Sequence, residues 1–377
     1  MKLLLGLSNI FKFSLLSTVA FVPFFHFNAN AAIDFQDAIF PELATSGRAL
    51  AMGNAFIAKV DDSSAPFYNP AGLGTVRYGH LHLSNMHIET NKGWMDMGTK
   101  GAGTDLASNL LKSYTLDGTR QLLVDNPGKI SHSRFHFTPN FTIRYFSIGY
   151  LLSIRNRATI GTEATSQFEY AVRRDHGPYA ALNISLFGGV LKFGAMGIIL
   201  SRIEAFGEVD KDTTIDLQSG DYNKGEAFIG VTGARLTLPI ALLPTFAAKY
   251  NNAFENEFTA RAAGAPAVIK KSLDLGFSIT PQIAKIVRIH LEVNWKDFTG
   301  EYSDISTNRK IALGGEIDFS RSFFLRFGYG DGWGSGGLGI RSKYLEFDLT
   351  SYAVDTTTSE FRGAEDRRFS MTLSSGF

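Results

Sequence analysis

An apolar residue and a polar residue alternate throughout the stretch Val287-Arg288-Ile289-His290-Leu291-Glu292-Val293-Asn294-Trp295. Successive side chains of a β-strand point to opposite faces, so this stretch predicts a strand with one apolar face and one charged face. The same alternation recurs in residues 323–329 and 345–349. It is the main pattern of the chain from residue 76 onward, and it predicts an all-β protein.

The connections between these strands distinguish a soluble sandwich from a membrane barrel. Both folds give alternation, because each strand has one apolar side and one polar side. In bacterial outer-membrane barrels, however, short turns at one end alternate with longer loops at the other. The chain follows that rule, and we predict a 14-stranded antiparallel transmembrane β-barrel over residues 76–377. Short turns are expected near residues 146–147, 187–189, 239–243, 281–285, 320–321 and 342–343.

The predicted strands are even in number, as in single-chain bacterial barrels. The fourth strand is the weakest prediction, since it is very long and contains Asp175-His176-Gly177-Pro178, and dividing it would make the number odd. The predicted strands cover residues 76–89, 133–146, 148–160, 165–187, 190–206, 226–238, 244–256, 270–280, 286–298, 309–319, 322–331, 336–342, 344–354 and 367–377.

The composition agrees with a barrel and excludes several other classes of protein. The chain has 38 glycines and 32 phenylalanines but only 44% hydrophobic residues, as expected where aromatic side chains surround an outer surface. Its net charge of +1 argues against a nucleic-acid partner. The absence of cysteine removes disulfides, thiol nucleophiles and cysteine metal sites. We expect no cofactor, no resident metal and no catalytic site.

Both ends of the chain carry export features. Residues 1–31 combine Lys2 and Lys12 with the apolar block 13–25 and the small-residue site Ala29-Asn30-Ala31, which is the pattern of a removed signal peptide. The alternative is a membrane anchor, but the block is shorter than the roughly 20 residues that a spanning helix needs. The chain ends on an alternating strand whose last residue is Phe377. A C-terminal strand that ends in phenylalanine resembles the signal by which the barrel-assembly machinery recognises outer-membrane barrels.

Residues 32–75 do not alternate and are rich in small side chains, which suits a segment packed inside a confined lumen. Within them, Pro70 fixes its own φ and favours an extended Asn69, while Gly72 permits a tight bend. The sequence therefore predicts a defined turn over Asn69, Pro70, Ala71 and Gly72. This turn is interpreted either as the hinge of a lumen hatch or simply as the start of the first strand.

The N-terminal segment resembles the signature of the FadL-like outer-membrane barrels, which take up long-chain fatty acids and aromatic hydrocarbons. It also resembles the sister group of PorV-like barrels, which serve protein secretion. The resemblance covers about 30 residues and implies a 14-stranded barrel whose lumen is closed by an N-terminal hatch, residues 32–75. The matching residues are Gly47, Arg48, Ala49, Met52, Gly53, Ala55, Phe56, Asp61, Asp62, Ser64 and Asn69-Pro70-Ala71.

A hatch of this kind needs polar contacts to a charged lumen wall and an apolar surface for a passing ligand. We expect Arg48, Asp61 and Asp62 to hold the hatch together with the Asn69 turn. The long insert 91–131 has an amphipathic helical pattern after Thr104 as a possible N-cap, and is either a landing groove for apolar ligands or a lid on the barrel mouth. The expected ligand contacts are Phe56, Phe67, Tyr68, Trp94, Leu106, Leu110 and Leu111.

Three other patterns are weaker. The glycine spacing of 332–337 matches a dinucleotide-binding loop, but strands flank it, so we expect a hairpin loop on the long-loop side. His80 and His82 share one strand face and are more simply polar filler of the lumen than metal ligands. Glu346 and Asp348 likewise share a face, and they are interpreted as part of a mixed-charge lumen wall rather than as an acid/base pair.

These observations predict a monomeric barrel in the bacterial outer membrane, surrounded by lipid and exported by its signal peptide. Its expected role is passive uptake of hydrophobic small molecules such as long-chain fatty acids or hydrocarbons. The alternative is a PorV-like docking barrel for protein secretion, which transports no small molecule.

Overall fold

The computed structural model describes residues 33, 35, 37, 39–77, 79–262, 264–283, 286–303, 305–355 and 363–376. The predicted signal peptide and the terminal Phe377 lie outside these residues, so both remain predictions.

The strands form one antiparallel sheet that closes on itself, because the last strand pairs with the first. Closure leaves no unpaired edge strand among the described residues. The strand segments are β1 His80–Asn91, β2 Ile130–Phe137, β3 Asn140–Ile143, β4 Phe146–Ile160, β5 Phe168–Leu186, β6 Leu191–Val209, β7 Asn223–Thr237, β8 Thr245–Asn251, β9 Thr259–Ala262, β10 Ser272–Ile279, β11 Val287–Trp295, β12 Ile311–Phe319, β13 Phe323–Gly330, β14 Trp333–Arg341, β15 Leu345–Asp355 and β16 Glu365–Gly376.

The 16 segments make a barrel of 14 strands, as predicted. Segments β2 and β3 both lie between β1 and β4, so they are two parts of one strand. Pro139 lies between these two parts, and a proline has no N–H to donate to a neighbouring strand. In the same way β8 and β9 both pair with β7 and form one interrupted strand.

The long fourth strand predicted from the sequence is a single strand, β5, despite its Gly177-Pro178 pair. Pairing with β4 continues through both residues, whereas the pairing with β6 omits them and resumes at Tyr179. The proline is therefore accommodated by a local gap in one ladder. The even number of strands is preserved.

Short and long connections alternate along the chain with one exception. The end of the barrel that carries residues 144–145, 187–190 and 320–322 is called here the short-turn end, and the opposite end is the long-loop end. The exception is the β13–β14 connection, a two-residue turn of Asp331 and Gly332 at the long-loop end.

The prediction of a loop over residues 332–337 is therefore wrong, because β14 already begins at Trp333. Asp331 has φ 54° and Gly332 has φ 87°. Positive φ at both central residues is typical of a type I′ hairpin turn, for which Asp-Gly is a preferred sequence.

The two faces of the wall are as the alternation predicts. Trp295 is 39% exposed and Phe323 is 42% exposed on the outside, whereas Glu292 is 4% exposed on the inside. Phe347 is half-buried on the outer face, and Glu346 on the inner face pairs with Arg341. An apolar outer band around a polar interior is the organisation of a transmembrane β-barrel.

The helices are short and lie in two regions. Residues 33–77, called here the inner segment, pack against the lumen-facing side chains and contain α1 Gly47–Ala51, α2 Ala65–Tyr68 and a 3-10 helix Pro70–Thr75. The insert between β1 and β2 contains α3 Lys92–Gly98, α4 Thr104–Ser113 and α5 Leu116–Val124. No helix among the described residues is both long enough and apolar enough to cross a membrane.

Candidate functional site in the barrel lumen

Arg48 in α1 joins the inner segment to the wall. Its side chain donates two hydrogen bonds to the Glu316 carboxylate of β12, each 2.7 Å long. Its remaining nitrogen donates to Asp61 at 2.7 Å and to Asp62 at 2.9 Å. The predicted polar residues of the segment therefore meet at one guanidinium, which is only 3% exposed.

The electrostatics of this cluster keep Arg48 and Asp61 charged. Burial alone would lower the pKa of Arg48, but the Glu316, Asp61 and Asp62 carboxylates raise it above its usual range. Burial would likewise raise the pKa of Asp61, but the charges of Arg48 and Lys59 hold it well below its usual range. The contact is a network of charge-assisted hydrogen bonds, which are about twice as strong as neutral ones.

A second charged contact, which the sequence did not indicate, anchors the start of the inner segment. The carboxylate of Asp37 accepts hydrogen bonds from Arg157 of β4 at 2.8 and 2.9 Å and from Arg368 of β16 at 2.8 Å. Burial would raise the pKa of Asp37, but both arginines hold it far below its usual range. Because the partners lie more than 100 residues away in sequence, only the closed barrel brings them together.

The predicted turn at Asn69 is present and is built as a cap. Asn69 has an extended backbone, and its side-chain oxygen accepts a hydrogen bond from Ala71 N at 3.0 Å at the start of the 3-10 helix. Its amide nitrogen donates to Ile57 O at 3.0 Å. The turn thereby fixes two parts of the inner segment to each other.

Glycines in the wall strands allow this turn to pack closely against the wall. A Cβ atom added at Gly233 of β7 would lie 2.0 Å from Asn69 Oδ1, and one added at Gly194 of β6 would lie 2.2 Å from the carbonyl carbon of Pro70. Larger residues cannot occupy these positions without displacing the turn. Asn183 of β5 completes the contact by donating to Ala71 O at 3.0 Å.

The predicted aromatic contacts of the inner segment form one packed group. The rings of Phe56 and Tyr68 meet edge to face at 5.5 Å, and those of Phe67 and Tyr179 at 4.8 Å. Phe56 is fully buried, whereas Phe67 and Tyr68 also line a cavity of about 70 Å³. Ile229, Val231, Lys249 and Asp274 are among its other lining residues.

The size of this cavity decides whether the lumen is open. Binding sites for small organic ligands usually have volumes of about 300–1,000 Å³. A cavity of about 70 Å³ holds only a few water-sized molecules. At the level of Phe67 and Tyr68 the inner segment therefore fills the lumen, and a larger molecule could pass that level only if the segment moved.

The helical insert lies against the outside of the wall rather than over its mouth. Met97, Leu122 and Leu123 pack on the outward-facing side chains Phe168 and Val172 of β5. A groove of about 330 Å³ separates the insert from the wall and the loop before β7, and it is lined by Tyr114, Leu116, Ile215, Leu217 and Tyr222 among others.

The four predicted ligand contacts of the insert lie elsewhere than in this groove. Trp94 is buried and donates its indole N–H to Ser113 O at 3.2 Å. Leu106 and Leu110 are half-buried on α4, and Leu111 is 72% exposed. Helix α4 begins at Thr104 and its N-cap residue is Gly103, so the expected capping role of Thr104 is wrong.

The weaker sequence patterns belong to the lumen wall. His82 bonds to Ser374 at 2.8 Å, and Asp348 pairs with Arg326. Within the part of the chain that the structure describes, no three His, Asp or Glu side chains are arranged to hold a metal ion.

The comparisons with known proteins bear on the fold. No family model matches the sequence, and no curated protein matches it. A TodX deltaS2S3 mutant, a monoaromatic hydrocarbon channel, has a similar structure with a TM-score of 0.52 and 10% identity, and covers 90% of this chain and 100% of its own.

Two other solved structures are more distant. The toluene transporter TodX of Pseudomonas putida has a TM-score of 0.48 at 9% identity, over 89% of this chain and 98% of its own. A Pseudomonas aeruginosa FadL homologue has a TM-score of 0.31 at 9% identity, over 90% and 100%. The fold defines a closed transmembrane barrel whose lumen holds the inner segment. Within that class, the architecture is similar to that of the TodX deltaS2S3 channel.

Proposed function

We propose that this chain is an outer-membrane channel for passive uptake of hydrophobic small molecules, such as long-chain fatty acids or hydrocarbons. The observation that carries the proposal is the construction of the lumen. A closed barrel encloses an inner segment that blocks its lumen, and Phe67 and Tyr68 of that segment face a small, partly apolar cavity.

Gating by the inner segment follows from how it is held. Its contacts with the wall are made by its own side chains, such as those of Asp37 and Arg48, and by wall side chains that bond to its backbone, such as those of Glu292 and Asn294. The strands are held by their own backbone hydrogen bonds, which do not involve the segment. The segment can therefore shift without opening the wall, because closed strand pairing carries the stability of a membrane barrel.

The remaining parts of the proposal concern location and partners. Residues 1–31 act as a signal peptide, residues 32–75 as the hatch and residues 76–377 as the barrel. The chain is inserted into the outer membrane by the barrel-assembly machinery and works as a monomer. The proposal includes no catalytic step and no energy source, since passage follows the concentration gradient of the ligand.

The test uses a double variant of the hinge, Asn69→Ala with Pro70→Ala. A matched control is available, because the chain has a second Asn-Pro pair, Asn126-Pro127, which follows α5 in the outer insert. Uptake of a fluorescent long-chain fatty acid, uptake of labelled toluene and single-channel conductance are measured for the wild type and both variants. We expect uptake by the wild type, altered uptake by the hinge variant and no change in Asn126→Ala with Pro127→Ala.

The outcome separates the two functions predicted from the sequence. Uptake that is the same in the hinge variant and the wild type would contradict gating at Asn69. If correctly inserted wild-type barrels pass neither probe, the channel function is wrong, and the docking role in protein secretion takes its place.

A further inference from the structure

A large open cavity at the short-turn end is strongly basic. It has a volume of about 480 Å³ and lies beside the end of the inner segment, at Gly74 to Arg77. We call it the basic vestibule. Its cationic lining residues are Lys59, Arg77, Arg144, Lys192, Arg235 and Arg288.

Two of these cations are already neutralised by carboxylates. The ammonium group of Lys59 lies 3.8 Å from the Asp61 carboxylate. Arg288 of β11 pairs with Asp318 of β12. These two residues therefore leave little net charge in the vestibule.

The cations contributed by β6 and β7, on the other side of the vestibule, are not paired with carboxylates among the described residues. Lys192 of β6 and Arg235 of β7 are directly opposite each other in the register of the two strands, and both point inward. Like charges in directly opposite positions destabilise a strand pair. Among the described residues, no carboxylate lies within ion-pair distance of either one, nor of the neighbouring Arg144.

Both side chains are buried, at 5% exposed for Lys192 and 8% for Arg235. Lys192 donates to Gly189 O, and one terminal nitrogen of Arg235 donates to Val60 O at 3.1 Å and Thr75 Oγ1 at 3.2 Å. The Nε atom of Arg235 is buried and has no hydrogen-bond partner in the described structure. A buried donor without a partner usually costs about 1–3 kcal/mol.

We propose that Lys192, Arg235 and Arg144 form a binding site for an oxyanion, the carboxylate or phosphate group of a small molecule. An anion there would separate the two like charges and accept from the free donors of Arg235. A guanidinium matches the two oxygens of a carboxylate or phosphate, and an ammonium adds a point charge. The volume of the vestibule also admits an organic group attached to the anion.

Anion binding at this site does not require passage through the lumen, because the vestibule lies at the short-turn end of the barrel. The site is nevertheless in contact with the inner segment, because Arg235 donates hydrogen bonds to Val60 O and Thr75 Oγ1. An anion on Arg235 therefore lies against the residues that connect the inner segment to β1.

In the experiment, each probe is titrated into the refolded, full-length mature barrel in an uncharged detergent, and the heat of binding is measured by calorimetry. The probes are hexanoate, inorganic phosphate and, as the uncharged control, hexan-1-ol. The variants are Lys192→Gln and Arg235→Gln. Lys343→Gln is the matched control, because Lys343 lies in the short turn between β14 and β15, outside the vestibule.

We expect hexanoate to bind the wild type with an affinity that falls as salt is added, because an open site is screened by ions. Binding should weaken about tenfold or more in Lys192→Gln and in Arg235→Gln, and stay unchanged in Lys343→Gln. If phosphate binds as well, a free anion is sufficient. If only hexanoate binds, the ligand is a carboxylate with an apolar tail.

Three results would overturn the proposal. They are no binding of either anion, hexan-1-ol binding as tightly as hexanoate, and hexanoate binding unchanged in Lys192→Gln. The Lys192 variant keeps the test valid even if Arg235→Gln fails to refold, because the hydrogen bonds to Val60 O and Thr75 are made by Arg235, while Lys192 donates to Gly189 O. An uptake assay reports on the channel separately, so failure of one proposal does not decide the other.

Discussion

The two faces of the barrel wall are built from alternate residues of the same strands, yet they are specified in different ways. On β11 the outer side chains of Leu291 and Val293 are 40% and 37% exposed, and apolarity is all that their position requires. On the inner face, Glu292 accepts a hydrogen bond from Ala58 N at 2.7 Å, and Asn294 accepts one from Phe56 N at 2.9 Å. Any apolar side chain therefore suits the outer face, whereas the inner face requires side chains that form specific hydrogen bonds with the inner segment.

This difference predicts how each face responds to change. An apolar exchange on the outer face keeps the same contact with lipid, so it should be tolerated. An exchange on the inner face removes a hydrogen bond on which the inner segment depends. The predictions below test this contrast from the largest expected effect to the smallest.

Deletion of Phe377 should cause the greatest loss of protein from the outer membrane. It removes the terminal aromatic residue of the sequence pattern that is predicted to be the signal for the barrel-assembly machinery. The amount of heat-modifiable barrel in outer-membrane fractions should fall sharply, while refolding of the purified chain in detergent should change little. Phe377→Tyr, which keeps an aromatic terminus, is the control. Unchanged membrane levels after the deletion would exclude the signal.

Arg48→Met should release the first half of the inner segment while leaving the barrel intact. Removing one partner of a buried ion pair costs about 3–5 kcal/mol. Glu316 keeps its second partner, Arg326, at 2.9 Å, so the wall itself retains its charge balance. Hydrogen exchange should accelerate over residues 43–62 and stay constant in β11 and β12.

The control for this prediction is Arg321→Met, in the short turn between β12 and β13. It removes an arginine from the same molecule without touching the inner segment. Equal exchange rates in Arg48→Met and Arg321→Met would show that the contact with Glu316 does not hold the segment.

Leu291→Arg and Glu292→Gln compare neighbouring residues on opposite faces. An arginine on the lipid-facing side should destabilise the barrel by about 2–4 kcal/mol if the position is near the bilayer midplane. Glutamine at position 292 keeps an oxygen that can accept from Ala58 N, so its effect should be smaller. Unfolding in urea, followed by heat-modifiability gels, measures both. Equal tolerance of the two changes would contradict the assignment of faces on β11.

Asp331→Asn should have the smallest effect, confined to the β13–β14 hairpin and dependent on pH. Burial, with the nearby Asp355 carboxylate, raises the pKa of Asp331 to about 6, although Arg309 opposes the shift. A raised pKa in the folded state stabilises the hairpin below about pH 4, and this contribution is lost as the pH rises through 6. Asparagine suits the same type I′ turn but does not ionise.

Hydrogen exchange in the hairpin, measured between pH 4 and pH 7 and corrected for intrinsic rates, checks this prediction. The wild-type hairpin should become less protected as the pH rises, and the Asp331→Asn hairpin should not. Asp212→Asn, at an exposed position in the loop before β7, serves as the control. The same pH dependence in all three proteins would mean that Asp331 is not the group that titrates.

Much of the wall could be predicted from the sequence, and the errors have local causes. The number of strands and their faces follow from a period of two, which each strand shows by itself. The sequence predicts too late a start for β14, because Gly334, Gly336 and Gly337 resemble a loop in composition. In the barrel they are strand residues. A Cβ atom added at Gly337 would lie 2.8 Å from the Cβ of Ala51 in the inner segment, so a larger residue there would collide with that segment.

The sequence by itself determined the barrel, the faces of its strands and the turn at Asn69, because these depend on residues that are close together in the chain. Only the tertiary structure decided the partners in the lumen. Arg48 and Glu316 are separated by 268 residues, and Asp37 and Arg368 by 331. Such pairs depend on strand register and on the closure of β16 against β1. Neither leaves a local pattern, since any inward-facing charge on any strand satisfies the same alternation.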